Sequence, residues 1–168
     1  MKIETTQSFL DYYGKIRSRT NRLISVVKPE HMEYAYMPGK FTVGDIIRHI
    51  AAIERFMFAE TIAGRQSRYK GCGKDLADGL EATLRFFNDM HIQSMEIFSN
   101  IKDQHLADKC RTPGNTSITI SKWLFAMTEH EIHHRGQLYL YLNMLGIKTP
   151  PMFGLTSEEL QEMSANQL

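Results

Sequence analysis

The chain has 168 residues, enough for one domain with a buried core, and its 42% hydrophobic and 23% charged residues are ordinary for a globular protein. A net charge of +1 gives no basic footprint for nucleic acid and no polybasic membrane signal. No run reaches the roughly 18–20 apolar residues of a membrane helix. The stretch Met1–Thr6 lacks the apolar segment of a secretory leader. Cys72 and Cys110 are far apart with no CxxC spacing, as suits free thiols in a reducing compartment, so a cytoplasmic location is expected.

In chain order, the first helical pattern spans Thr6 to Val27, with Phe9, Leu10, Tyr13, Ile16, Leu23, Ile24 and Val27 apolar and Pro29 ending it. A loop with the turn signal Pro38-Gly39 follows. The second helix starts near Thr42, where Thr42-Val43-Gly44-Asp45 has the form of a capping box with Asp in place of Glu. Ile46, Ile50, Ile53 and Met57 recur at helical spacing, and His49 and Phe56 sit on the inner edge of that stripe. This helix is expected to end near Gly64, before a charged loop over Arg65–Gly73.

The third helix is expected from about Asp75 to Ile101, with Leu76, Leu80, Leu84, Phe87, Ile92, Met95 and Phe98 apolar. A longer loop over Lys102–Ser117 carries Pro113-Gly114-Asn115. The fourth helix spans about Thr119 to Leu145 and stops at Gly146, suited to the left-handed C-cap. Its inner stripe reads Ile120, Leu124, Met127, Glu131, His134, Leu138, Tyr141, Leu145. After Pro150-Pro151, Thr156 opens a short, surface-lying helix. Only Ser117–Ile120 alternates with period two, too briefly to count as a strand. Four long helices with short loops predict an all-α four-helix bundle over residues 1–168, with a short extra C-terminal helix.

The chemistry concentrates in His130-Glu131-Ile132-His133-His134-Arg135-Gly136-Gln137. His130 and His134 lie one turn apart on the same side of a helix, and two imidazoles so placed can close on one metal ion. His49 is a third candidate. A lone histidine on an inner face, such as His49 taken alone, is usually a hydrogen-bonded core residue; the pair His130 and His134 points further. Buried together with Glu131, they would cost about 1–3 kcal/mol per unsatisfied group, and a divalent cation is the simplest partner. Three histidines with no fourth protein ligand leave an open position, which suits Lewis-acid or activated-water chemistry. Glu131 is then a candidate general base or an acceptor that orients an imidazole. The segment also has the zincin form HExxH, but no histidine follows and no sheet is expected, so a peptidase is disfavoured. His133 is assigned to the rim, and His31, His91 and His105 to solvent. Gly136 hints at a close helix approach, and Arg135 and Gln137 at helix or subunit contacts.

Gly44-Asp45-Ile46-Ile47-Arg48-His49-Ile50 on the second helix and the His130–Gln137 segment on the fourth resemble the DinB-like (DinB/YfiT) metalloenzyme family. The resemblance extends over nearly the whole chain. It implies a four-helix bundle, often a homodimer, holding a divalent ion on His49, His130 and His134: zinc or nickel first, iron or manganese next. Its relatives include thiol S-transferases and a thiol-dependent isomerase. An open divalent site can lower the pKa of a bound thiol. Arg48 and Arg111 are candidates to hold the carboxylates of a low-molecular-weight thiol or of the small-molecule substrate. The expected function is metal-dependent thiol S-transfer. The alternatives are a metal-dependent hydrolase and a non-enzymatic metal- or ligand-binding module, with no nucleic acid or membrane partner.

Overall fold

The computed structural model describes residues 3–166; Met1 and Lys2, on which part of the reading against a secretory leader rests, lie outside them. Four long helices form the bundle. Helix α1 (Thr6–Ile24) starts on a reciprocal cap: Ser8 N–H donates to Thr5 Oγ1 at 3.1 Å and Thr5 N–H donates to Ser8 Oγ at 3.3 Å. Helix α2 (Val43–Ile53) opens on the expected box, with Asp45 N–H to Thr42 Oγ1 and Thr42 N–H to Asp45 Oδ2 both 3.0 Å. It continues through a π turn (Glu54–Ala59) into a last helical turn (Glu60–Ile62). Helices α3 (Gly79–Ser99) and α4 (Ile120–Met144) complete the bundle, and α5 (Ser157–Ala165) lies outside it with no buried residue. Helix α4 is followed at Gly146 by a φ of 73°, the left-handed stop expected from sequence.

Three local expectations change. The π turn inserts an extra residue, so the buried stripe after Ile53 moves to Phe58, Ala59 and Ile62, while Phe56 and Met57 are only partly buried. On α3 the inward stripe runs through Thr83, Phe87, Ser94 and Phe98, and Ile92 points out at 66% exposure. The loop before α4 contains a small antiparallel hairpin, β1 (Lys109–Arg111) with β2 (Ser117–Thr119), in which Cys110 pairs with Ile118. Two three-residue strands are too short for alternation to reveal them.

The core divides into two apolar halves. One gathers Phe9, Tyr13, Ile16, Phe58, Phe98, Leu124 and Met127; the other Leu23, Ile46, Ile50, Phe87, Leu138 and Tyr141. Between them, at mid-bundle, lie the buried polar residues Arg17, Thr20, Glu54 and Glu131.

Candidate metal centre

His49 on α2 and His130 and His134 on α4 present ring nitrogens that all lie within 4.8 Å of one another. His49 Nε2 and His130 Nε2 are 3.1 Å apart, close to the roughly 3.3 Å between two nitrogen ligands of a tetrahedral zinc ion. The ring centres of His49 and His130 both lie 4.5 Å from that of His134. Two rings are held from behind. The Nδ1–H of His134 donates to Gln137 Oε1 at 3.0 Å, which leaves Nε2 as the free lone pair. His49 Nδ1 lies 2.8 Å from the Tyr69 hydroxyl. Phe41 packs beside the group, its ring centre 5.1 Å from His49 and 6.5 Å from His134.

The electrostatics suit ligation. Burial, then the neighbouring His134, pushes His49 down to about 4. Burial, then the other histidines, pushes His130 down to about 3, and burial lowers His134 too. Near neutral pH all three rings are therefore uncharged, the form that binds a cation. Partly buried, neutral and convergent nitrogens are what a divalent ion fits, and a histidine set suits zinc, nickel, iron or manganese.

Beside the cluster an open cleft of about 350 Å³ is lined by Tyr36, Lys40, Phe41, His133, His134 and Gln137. His133 is exposed, at the rim as expected, with its ring centre 4.8 Å from that of His134. No carboxylate lines this cleft among the described residues.

Glu131 lies elsewhere. One residue beyond His130, it turns about 100° around α4 toward α1. There its carboxylate accepts from the Tyr13 hydroxyl at 2.8 Å and the Thr20 hydroxyl at 2.6 Å, and pairs with Arg17 Nη2 at 2.9 Å. With both oxygens so engaged and the residue only 1% exposed, Glu131 is placed neither as a base for the cleft nor as an acceptor for the histidines. Arg17 also pairs with Glu54, whose other oxygen lies 2.8 Å from His91 Nδ1. His91 is thus part of a buried network rather than solvated. The carboxylates of Glu131 and Glu54 outweigh the burial of Arg17 and hold its guanidinium firmly charged. Among the described residues Arg17 Nε and Nη1 have no hydrogen-bond partner, and the guanidinium carbon sits 4.2 Å from the centre of the Phe87 ring.

Arg48 is likewise not a ligand contact. It is 1% exposed, donating from Nε to Cys72 O at 2.8 Å and from Nη1 to Ala77 O at 3.1 Å, with Nη2 on Asp45 Oδ1 at 2.7 Å. Arg48 therefore staples the loop after α2, the loop that delivers Tyr69 to His49. Gly44 leaves room for it: a Cβ there would meet Arg48 Nη1 at 3.1 Å and Met32 Cε at 2.9 Å. Arg111 is exposed on β1, its Nη1 donating to Asn115 Oδ1 at 2.6 Å, in a different cleft from the histidines. Gly136 faces open space, so no helix approaches it closely. Gln137 supports His134, and its i, i+3 spacing was the available signal. Tyr69, in a loop, left no such signal.

A helical bundle whose second and fourth long helices bring three histidines together on an open cleft defines the class. Residues 12–138 match the profile of the DinB superfamily, and the chain belongs to that family. A relative is the uncharacterized protein YjoA of Bacillus subtilis (strain 168), 22% identical over 149 residues, covering 88% of this chain and 96% of that protein. Among solved structures, a DinB-like protein from Bacillus cereus ATCC 10987 superposes with a TM-score of 0.75 at 19% identity, covering 88% of this chain and 97% of that one. YfiT from Bacillus subtilis, described as a probable metal-dependent hydrolase with an unusual four-helix bundle topology, gives 0.67 at 14% identity over 85% of this chain and 89% of its own. At these identities the structures establish a shared fold. Among the described residues no helix is long and apolar enough to cross a membrane.

Proposed function

We propose that this protein is a metal-dependent enzyme of the low-molecular-weight-thiol S-transferase type, with His49, His130 and His134 holding a divalent ion. One observation carries the reading: three neutral imidazoles converge beside a cleft that offers a cation, Lys40, and no carboxylate. A divalent ion held there supplies the Lewis acidity that makes a thiol nucleophilic near neutral pH. No protein base is then required, which agrees with Glu131 being spent on α1. Lys40 attracts the carboxylate of a thiol such as glutathione. Tyr36 and Phe41 offer an apolar wall to an electrophile, and Gln137 and Tyr69 keep the rings from rotating.

A hydrolase is the second reading. The description of YfiT favours it, and so does His133, an exposed imidazole beside His134 that can take a proton from water.

The test starts with metal content by mass spectrometry on untagged protein, wild type beside His134→Ala. The loaded protein is then given glutathione or a cysteinyl glycoside with monochlorobimane, in parallel with thiol-free ester substrates. Thiol consumption that vanishes in His134→Ala is expected. Thiol-independent ester turnover would move the assignment to the hydrolase. No metal uptake would remove both enzyme readings.

A further inference from the structure

A second cleft, of about 670 Å³, lies away from the histidines. It lies between the end of the extended second helix (Thr61, Gly64–Ser67) and the hairpin (Lys109–Thr112, Pro113, Asn115). Its volume falls in the range that small-molecule sites occupy. Three cations line it, Arg65, Lys109 and Arg111, and no aspartate or glutamate does.

The surrounding charge is unbalanced. Arg65 shares the buried Glu60 carboxylate with Arg55 and Arg68, so one acid faces three guanidinium groups and that cluster alone leaves an excess of positive charge. Among the described residues, neither Lys109 nor Arg111 has a carboxylate within ion-pair distance, although acids are nearly as numerous as bases in the chain. Lys109 and Arg111 alternate with the buried Cys110, so they project from the same face of β1. Arg111 is also oriented. Its Nη1 is fixed by Asn115, a residue the hairpin tip holds at a φ of 61°, which leaves the other guanidinium N–H groups for a second acceptor. Concave walls, an oriented guanidinium, an ammonium and a supporting excess of charge are the elements of an oxyanion site. The cleft is too local for a nucleic-acid track, since the whole chain carries only +1.

We infer that the cleft between the hairpin and the end of the second helix binds the oxyanion end, carboxylate or phosphate, of a small multivalent anionic ligand, with Lys109 and Arg111 as its principal contacts. The site stands apart from the metal reading, because none of the three histidines lines it. The loop that forms one wall nevertheless runs on to Tyr69, and Tyr69 N–H donates to Ser67 Oγ at 3.3 Å, so a ligand seated there touches the segment that buttresses His49.

Isothermal titration of metal-free His134→Ala protein at low salt, with citrate and separately with pyrophosphate, tests the inference. The expected result is saturable binding of at least one anion, weakened about tenfold or more in His134→Ala/Lys109→Ala/Arg111→Ala and by raising the salt. Preference for citrate or pyrophosphate identifies the head group as carboxylate or phosphate. Both added substitutions are at exposed positions, and circular dichroism verifies that the fold is kept. No saturation by about 10 mM, or a loss smaller than about tenfold in the added double substitution, overturns the site. So does binding seen only when His134 is present, since the anion would then sit on the histidine centre.

Discussion

Two polar clusters share the middle of the bundle, and neighbouring residues supply them. His130 and Glu131 are adjacent on α4; His49 and Glu54 are five apart on α2 and its π turn. The glutamates turn inward, where Arg17 bridges them and Tyr13, Thr20 and His91 occupy the remaining oxygens. The histidines turn toward the cleft, which no carboxylate lines among the described residues, and their nitrogens face one another. A closed cluster with its own counter-charge ties α1, α2 and α4 together. An open cluster of like, neutral donors is braced from behind by Gln137 and Tyr69 but has no counter-charge, and a cation would complete it. Arg17 links the two helical segments that carry the histidines through Glu54 and Glu131, an arrangement in which the closed cluster can act as the frame of the open one.

This contrast predicts opposite consequences for substitutions in the two clusters. The largest effect on folding is expected for Arg17→Met, which leaves Glu54 and Glu131 buried without a counter-ion and should cost about 3–5 kcal/mol in urea denaturation of the metal-free protein. Stability within about 1 kcal/mol of wild type would mean that the network is not the frame. His134→Ala should do the reverse, with metal affinity falling by more than about a hundredfold in competition titrations while the metal-free midpoint stays put. A midpoint drop like that of Arg17→Met would make the histidines core residues. Tyr69→Phe and Gln137→Ala remove only the supports, and each should weaken metal binding by about tenfold with the fold intact.

Acidity separates the clusters further. The unfolded chain protonates its histidines near 6.5, but the folded one holds His49 at about 4 and His130 at about 3. Their depressed values make metal-free stability complete above about pH 6.5, with progressive loss as the pH falls toward those two values. Glu60 behaves alike at lower pH. Burial opposes its charge, but hydrogen bonds from Arg65, Arg55 and Arg68 hold it at about 2, so its contribution is present above 4.5 and lost as the pH falls toward 2. Urea midpoints measured from pH 7 to 2.5 should fall in both windows. His130→Ala should flatten the upper limb and Glu60→Gln the lower one. The smallest effect is expected for truncation before Ser157: α5 buries nothing, so thermal midpoints should move by no more than about 2 °C.

The sequence by itself determined the helix count, the capping box at Thr42, the start of the last helix at Thr156, the glycine stop at Gly146 and the histidine triple, because caps and 3.6-residue spacing are local properties. It could not assign Glu131, which spacing alone placed in one stripe with His134. About 100° of rotation per residue, and the presence of Arg17 on another helix, decided which wall Glu131 faces. Nor could it distinguish Arg48, a buried staple beside His49, from Arg111, an exposed cation in the long loop: only the path of the loop over α2 separates them. The π turn, the Tyr69 support and the cationic cleft belong to the same class. The Tyr69 support and the cleft depend on contacts between segments distant in the chain, and the π turn is an irregularity that regular 3.6-residue spacing does not announce.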